Sequence, residues 1–150
     1  MADIRRSRRI AARPQQIWDI LADFGSISSW ARNVDHSCIL FSGPDGAAVG
    51  TARRVQVKRD ALVERITEFD PPRALAYDIE GLPSRVRRAT NRWTLAPVPS
   101  GATVVTLTST VEIGLNPAQK LVERVLCRFL APQSDVMLAG LANRLENARV

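Results

Sequence analysis

The chain has 150 residues, and 21 Lys plus Arg against 15 Asp plus Glu give a formal charge of +6. With 45% hydrophobic and 24% charged residues, it reads as one globular domain over 1–150, not as a disordered, collagen-like or coiled-coil chain. No unbroken apolar run reaches the ~18–20 residues of a membrane-spanning helix.

Residues 3–12 read as a strand, ended by Arg13-Pro14. Proline suits the first helical turn, and Ile17, Trp18 and Leu21 recur at helical spacing, which predicts a helix over 14–22. A second short helix is expected over Ser26–Trp30, set off by Gly25. From residue 34 the period becomes two, with His36, Cys38 and Leu40 alternating with Ser37, Ile39 and Phe41. Gly43-Pro44-Asp45-Gly46 is a turn signal, and strands follow at 51–57, 61–69, 74–80, 85–96 and 103–113. Their connections are too short for helical crossovers, so the sheet should be antiparallel.

Asn116-Pro117 supplies an N-cap and a first-turn proline for a long C-terminal helix. Leu121, Val122, Val125, Leu126 and Phe129 form its first apolar stripe, and Pro132 should kink or break it. Met137, Leu138, Leu141 and Leu145 continue the stripe. The whole is an α+β domain in which one long helix must cover a seven-stranded sheet. Where a curled sheet and that helix part, a cavity is expected.

No secretory apolar segment follows Arg5, Arg6, Arg8 and Arg9, because Ile10-Ala11-Ala12 stops at Arg13-Pro14, so a cytoplasmic location is expected. Cys38 and Cys127 form no metal-binding pattern and are expected to be buried free thiols. No metal is expected, and the absence of a dinucleotide loop or P-loop predicts no cofactor.

Alternation places several polar side chains on otherwise apolar strand faces. His36 goes with Cys38 and Leu40; Arg53 with Val55 and Val57; Glu64 with Leu62 and Ile66; Tyr77 with Leu75 and Ile79; Asn91 with Trp93 and Leu95. Burying such groups without partners costs a few kcal/mol, so they must satisfy one another, or water or a ligand must do so. Arg53 and Glu64 would form an internal ion pair, or else the polar end of a pocket gripping a hydroxyl or carboxylate. On residues 103–113 two inner faces are open, Val105, Leu107, Val111 and Ile113 or Thr106, Thr108 and Thr110, and hydrophobicity favours the apolar set.

The run Ile10-Ala11-Ala12-Arg13-Pro14, Ile17-Trp18, Leu21-Ala22-Asp23-Phe24 and Trp30 resembles the opening of the polyketide cyclase/dehydrase and lipid-transport family. That family belongs to the START-like, Bet v 1-like (SRPBCC) superfamily. Gly50-Thr51, Leu62-Val63-Glu64-Arg65-Ile66, Asp70-Pro71-Pro72-Arg73, Tyr77, Trp93, Pro97 and Gly101 agree with it. The resemblance covers the whole chain. It implies the helix-grip fold: a seven-stranded curved antiparallel sheet around a long C-terminal helix, with two short helices between strands 1 and 2. It also implies a deep apolar cavity but no single activity.

Three functions follow as expectations. The first is binding or transport of a hydrophobic or amphipathic small molecule, such as a lipid, quinone or aromatic polyketide. Its lining would draw on Trp30, His36, Arg53, Val55, Val57, Glu64, Tyr77, Ile79, Asn91 and Trp93, with Phe129, Gln133, Met137 and Leu141 from the helix. The second is a cyclase or dehydrase acting on a poly-β-ketone or aromatic substrate, with His36 as general base, Tyr77 as proton donor and Glu64 beside them. The third is a stress or regulatory partner protein, monomeric or homodimeric. The Gly43–Gly46 and Gly81-Leu82-Pro83-Ser84 turns read as ordinary hairpin turns, the alternative implied by the resemblance being that they act as gates. Arg85, Arg87, Arg88 and Arg92 lack interleaved aromatics, so no nucleic-acid partner is expected, whereas weak peripheral contact with an anionic membrane is.

Overall fold

The computed structural model describes residues 2–82, 86–114 and 116–147, apart from the side chains of Leu126, Cys127, Phe129 and Asn147. Its strands are β1 (Ala2–Ile10), β2 (His36–Phe41), β3 (Ala52–Val57), β4 (Asp60–Asp70), β5 (Ala74–Glu80), β6 (Arg88–Pro97) and β7 (Thr103–Glu112). The helices are α1 (Pro14–Ala22) and α2 (Pro117–Asn147). The strands form one antiparallel sheet in the order β1-β7-β6-β5-β4-β3-β2, so β1 and β2 lie at opposite edges.

α1 matches its predicted bounds, with Pro14 in the first turn and the Arg13 N–H donating to the Gln16 side chain at 2.9 Å. The next segment differs from expectation. It is a kinked pair of 3₁₀ turns over Phe24–Ser29, and its buried residues explain why. Phe24, Ile27 and Trp30 recur every three positions, the period at which 3₁₀ side chains stack. Phe24 meets Tyr77 edge-on at 5.6 Å and Trp30 meets Trp93 at 5.8 Å. From α1, Trp18 meets Phe69 at 5.1 Å.

α2 opens as its sequence predicts, with the Asn116 side chain accepting from the Gln119 N–H at 2.8 Å. It does not break at Pro132 but runs through it as one helix. That continuity overturns the first apolar stripe at Leu121, Val122 and Val125; the side chains of Leu126 and Phe129 lie outside the described residues. Met137, Leu138, Leu141 and Leu145 are buried. Stepped back at helical spacing, their phase points Ser134, Leu130 and Glu123 at the sheet and turns Leu121, Val122 and Val125 outward. Glu123 and Ser134 are indeed buried, while those three apolar residues are exposed. By length and hydropathy α2 would pass for a membrane span, but its C-terminal half is core. Gly140 lets it cross directly over the Trp30 carbonyl, where a Cβ would collide with backbone. At the far edge, Arg6 of β1 grips Asp135 of α2 with two hydrogen bonds of 2.9 and 2.7 Å.

The face of β7 is as expected: Val105, Leu107 and Val111 are buried, joined by Ser109. The phase of β2 is reversed. Ser37 pairs across the ladder with Val55 and Ile39 with Arg53, so these two share the inner face, Ser37 half-buried and Ile39 still exposed at the sheet edge, while His36, Cys38 and Leu40 are exposed on the other face. The Ser37 hydroxyl explains this, donating to the Gly25 carbonyl at 2.7 Å and accepting from the Ser28 N–H at 3.0 Å. A polar residue turns inward because it satisfies the 3₁₀ backbone. Cys38 is therefore an exposed thiol, not a buried one.

On the outer face, arginines pair across strands: Arg92 with Glu68 at 2.8 Å, Arg65 with Glu80 at 3.4 Å and Arg88 with Asp78 at 3.5 Å. These three pairs interleave part of the basic face with acids and leave the net surplus of six unchanged.

Candidate functional site

A cavity of about 310 Å³ opens between the sheet and α2. Its walls are mainly aliphatic: Val55, Val57, Leu62, Ile79 and Val111 from the strands, and Leu130 and Met137 from α2. Leu82 and Val86 border it too; Pro83 and Ser84 of that turn lie outside the described residues. The Gly43–Gly46 turn contributes nothing to the wall among the described residues.

Glu64 is the buried charge in this wall. It faces Arg53 directly across the β3–β4 ladder. The Arg53 Nε and Nη2 reach the same carboxylate oxygen, Oε1, at 2.8 and 2.7 Å. Nη1 donates to the Phe24 carbonyl at 2.8 Å. The guanidinium carbon lies 3.7 Å from the Phe24 ring centre and 4.7 Å from that of Tyr77, a double cation–π contact. Arg53 is only 2% exposed and does not line the cavity, whereas Glu64 does. Among the described residues Glu64 Oε2 has no hydrogen-bond partner.

Beside Glu64 lies a neutral network. The Ser109 hydroxyl donates to Asn91 Oδ1 at 2.6 Å, and Asn91 Nδ2 donates to the Tyr77 hydroxyl at 3.3 Å. Trp93 Nε1 reaches the same hydroxyl at 3.3 Å. Burial, reinforced by the Glu64 charge, raises the Tyr77 phenol above its ordinary 10.0. At the wall, Asn33 has a buried Oδ1 with no partner among the described residues.

Of the residues singled out from sequence, Val55, Val57, Glu64, Ile79, Asn91, Gln133 and Met137 line the cavity. Trp30, Arg53, Tyr77, Trp93 and Leu141 do not; they are buried in the packing behind it. His36 is exposed on the outward face of edge strand β2, because the β2 phase is reversed. The trio His36, Tyr77 and Glu64 is therefore not assembled around one space. The Phe129 side chain lies outside the described residues. Sequence reasoning missed Asn33, Ser109, Leu130 and Ser134. Ser109 was legible, being in phase with Val105, Leu107 and Val111; Asn33 sits in a loop where no period applies. Among the described residues no three His, Cys, Asp or Glu side chains converge as a metal site needs.

Residues 1–146 match the sequence pattern of the family described as polyketide cyclase / dehydrase and lipid transport. The chain belongs to this family. Solved structures agree on the fold of this polyketide cyclase/dehydrase and lipid-transport domain. The Zhui aromatase/cyclase from Streptomyces sp. R1128 superposes with a TM-score of 0.80 at 16% identity, covering 99% of this chain and 96% of that one. A START superfamily protein from Mycobacterium smegmatis gives 0.74 at 16% identity over 97% and 98%. A Thermobifida fusca protein gives 0.77 at 24% identity over 96% and 93%. No curated protein matches the chain in sequence.

Proposed function

We propose that this domain binds, and passes on, an apolar or amphipathic small molecule held in the cavity between the sheet and α2. The observation that carries this reading is the combination of aliphatic walls with a buried carboxylate whose Oε2 is unpaired among the described residues. A concave aliphatic space with a few placed polar groups is the usual form of a small-molecule site. The cyclase or dehydrase alternative asks for a base and an acid within reach of one substrate. His36 and Tyr77 supply neither inside this cavity, so binding is the preferred reading.

The carrier reading extends to collecting cargo from an anionic membrane. Leu121, Val122 and Val125 stand 62%, 53% and 47% exposed on α2, beside exposed Lys120, Arg124 and Arg128. Native mass spectrometry after mild purification should find a small molecule retained, and lipids or quinones of matching size should raise the Tm. An empty mass together with no Tm shift from any class would overturn the proposal. Sedimentation with anionic but not neutral vesicles tests the membrane step.

A further inference from the structure

We infer that the cavity selects ligands whose polar group donates a hydrogen bond, a hydroxyl or amine, and rejects carboxylic acids. This rests on the small-molecule reading above and names the chemistry of the head group.

The argument is one of donors and acceptors. The nearby cation, Arg53, is withheld from the cavity. Its Nε and Nη1 donate to Glu64 Oε1 and the Phe24 carbonyl, its Nη2 lies 2.7 Å from the same Oε1, and the Phe24 and Tyr77 rings pack against it. What lines the wall is the other member of the pair, Glu64, whose Oε2 carries no hydrogen bond among the described residues and offers only lone pairs. Glu64 is 6% exposed, so little bulk water hydrates it. The neutral groups beside it, Asn91 and Ser109, are bonded to each other and to Tyr77. Asn33 Oδ1, an acceptor at a lining residue, and Trp30 Nε1, a donor at a residue that does not line the cavity, are buried without a partner among the described residues. A ligand hydroxyl would give Oε2 a charge-assisted bond. A ligand carboxylate would set like charge against it with no free cation to answer.

The rigid probes 2-naphthol, 2-methoxynaphthalene and 2-naphthoate separate the cases, with naphthalene as the apolar reference, all measured by calorimetry on the full chain. The methyl ether keeps the oxygen but loses the donor. We expect 2-naphthol to bind at least tenfold tighter than the ether and the acid. In Glu64→Gln, Arg53 should keep hold of the amide oxygen and turn the amide N–H2 toward the cavity. The naphthol advantage should then disappear and naphthoate should gain. Equal affinity for naphthol and its ether in the wild type would overturn the inference while leaving cavity binding intact, as would preference for naphthoate. Failure of all four probes, naphthalene included, would overturn the binding reading and this inference with it. The wild-type ranking decides the matter even if Glu64→Gln does not fold.

Discussion

Two arginine–carboxylate pairs in this chain have the same closest distance, 2.7 Å, and opposite surroundings. The Arg53 and Glu64 side chains are 3% and 9% exposed; those of Arg6 and Asp135 are 45% and 49% exposed. Contact distance therefore says little about what each does. Water can solvate either member of the Arg6–Asp135 pair once the other is gone, so that pair contributes little. Neither member of the buried pair has that recourse, so each makes the other tolerable. The surface pair fastens β1 to α2, while the buried pair shapes the cavity wall.

The largest effect should come from breaking the buried pair on one side. Arg53→Met leaves Glu64 charged and unpartnered and should cost about 3–5 kcal/mol in urea unfolding. Loss of less than about 1 kcal/mol would mean that water already hydrates Glu64. Tyr77→Phe should cost about 1–3 kcal/mol, because the Asn91 and Trp93 N–H groups lose their shared acceptor.

Tyr77 also gives the buried region a pH signature. As the only tyrosine, it is the one phenol an absorbance titration can report. Its folded pKa is raised, so above about pH 10 the unfolded chain releases this proton while the folded chain keeps it. Its contribution to stability is whole below the unfolded value and is lost as pH rises through the folded one. The native protein should show no phenolate step near pH 10; such a step with the fold intact would contradict the burial.

Replacing both buried partners, Arg53→Met with Glu64→Leu, should recover most of the single-mutant loss and end within about 1 kcal/mol of wild type. Arg6→Ala should have the smallest effect, a Tm change that vanishes in high salt. Its hydrogen bond and charge lower the Asp135 pKa. Any contribution is therefore present above the unfolded Asp value and fades as pH falls through the folded one. A large, salt-insensitive loss on Arg6→Ala would erase the contrast between the two pairs.

What could be read in advance follows the same division. Element order, α1, β5 and the start of α2 were legible because period, proline position and turn residues all agreed. On β7 the sequence leaves both faces open, and the apolar one that hydrophobicity favours over the threonine-rich one is the buried one. In β2 hydrophobicity favours neither face: His36, Cys38 and Leu40 are no more polar than Ser37, Ile39 and Phe41. A hydroxyl bonded to the 3₁₀ backbone decided between them, and that bond lies outside any periodic pattern. Leu121, Val122 and Val125 of α2 differ from expectation because a break at Pro132 would have allowed its two halves separate phases. Arg53 and Glu64 were legible as a pair; which of them would face the cavity depended on Phe24 and Tyr77 closing over the guanidinium.

The pairing of β1 with β7 also matters during synthesis. Ala2 lies opposite Val111 and Ile10 opposite Thr103, so the first strand made waits about a hundred residues for its partner. At ribosomal speed that is roughly 5–20 s. Such an unpaired strand is a template for aggregation unless charge interrupts it, and β1 carries Arg5, Arg6, Arg8 and Arg9. By that principle those arginines would count before the fold exists, setting the unpaired strand against self-pairing until residues 103–112 are made.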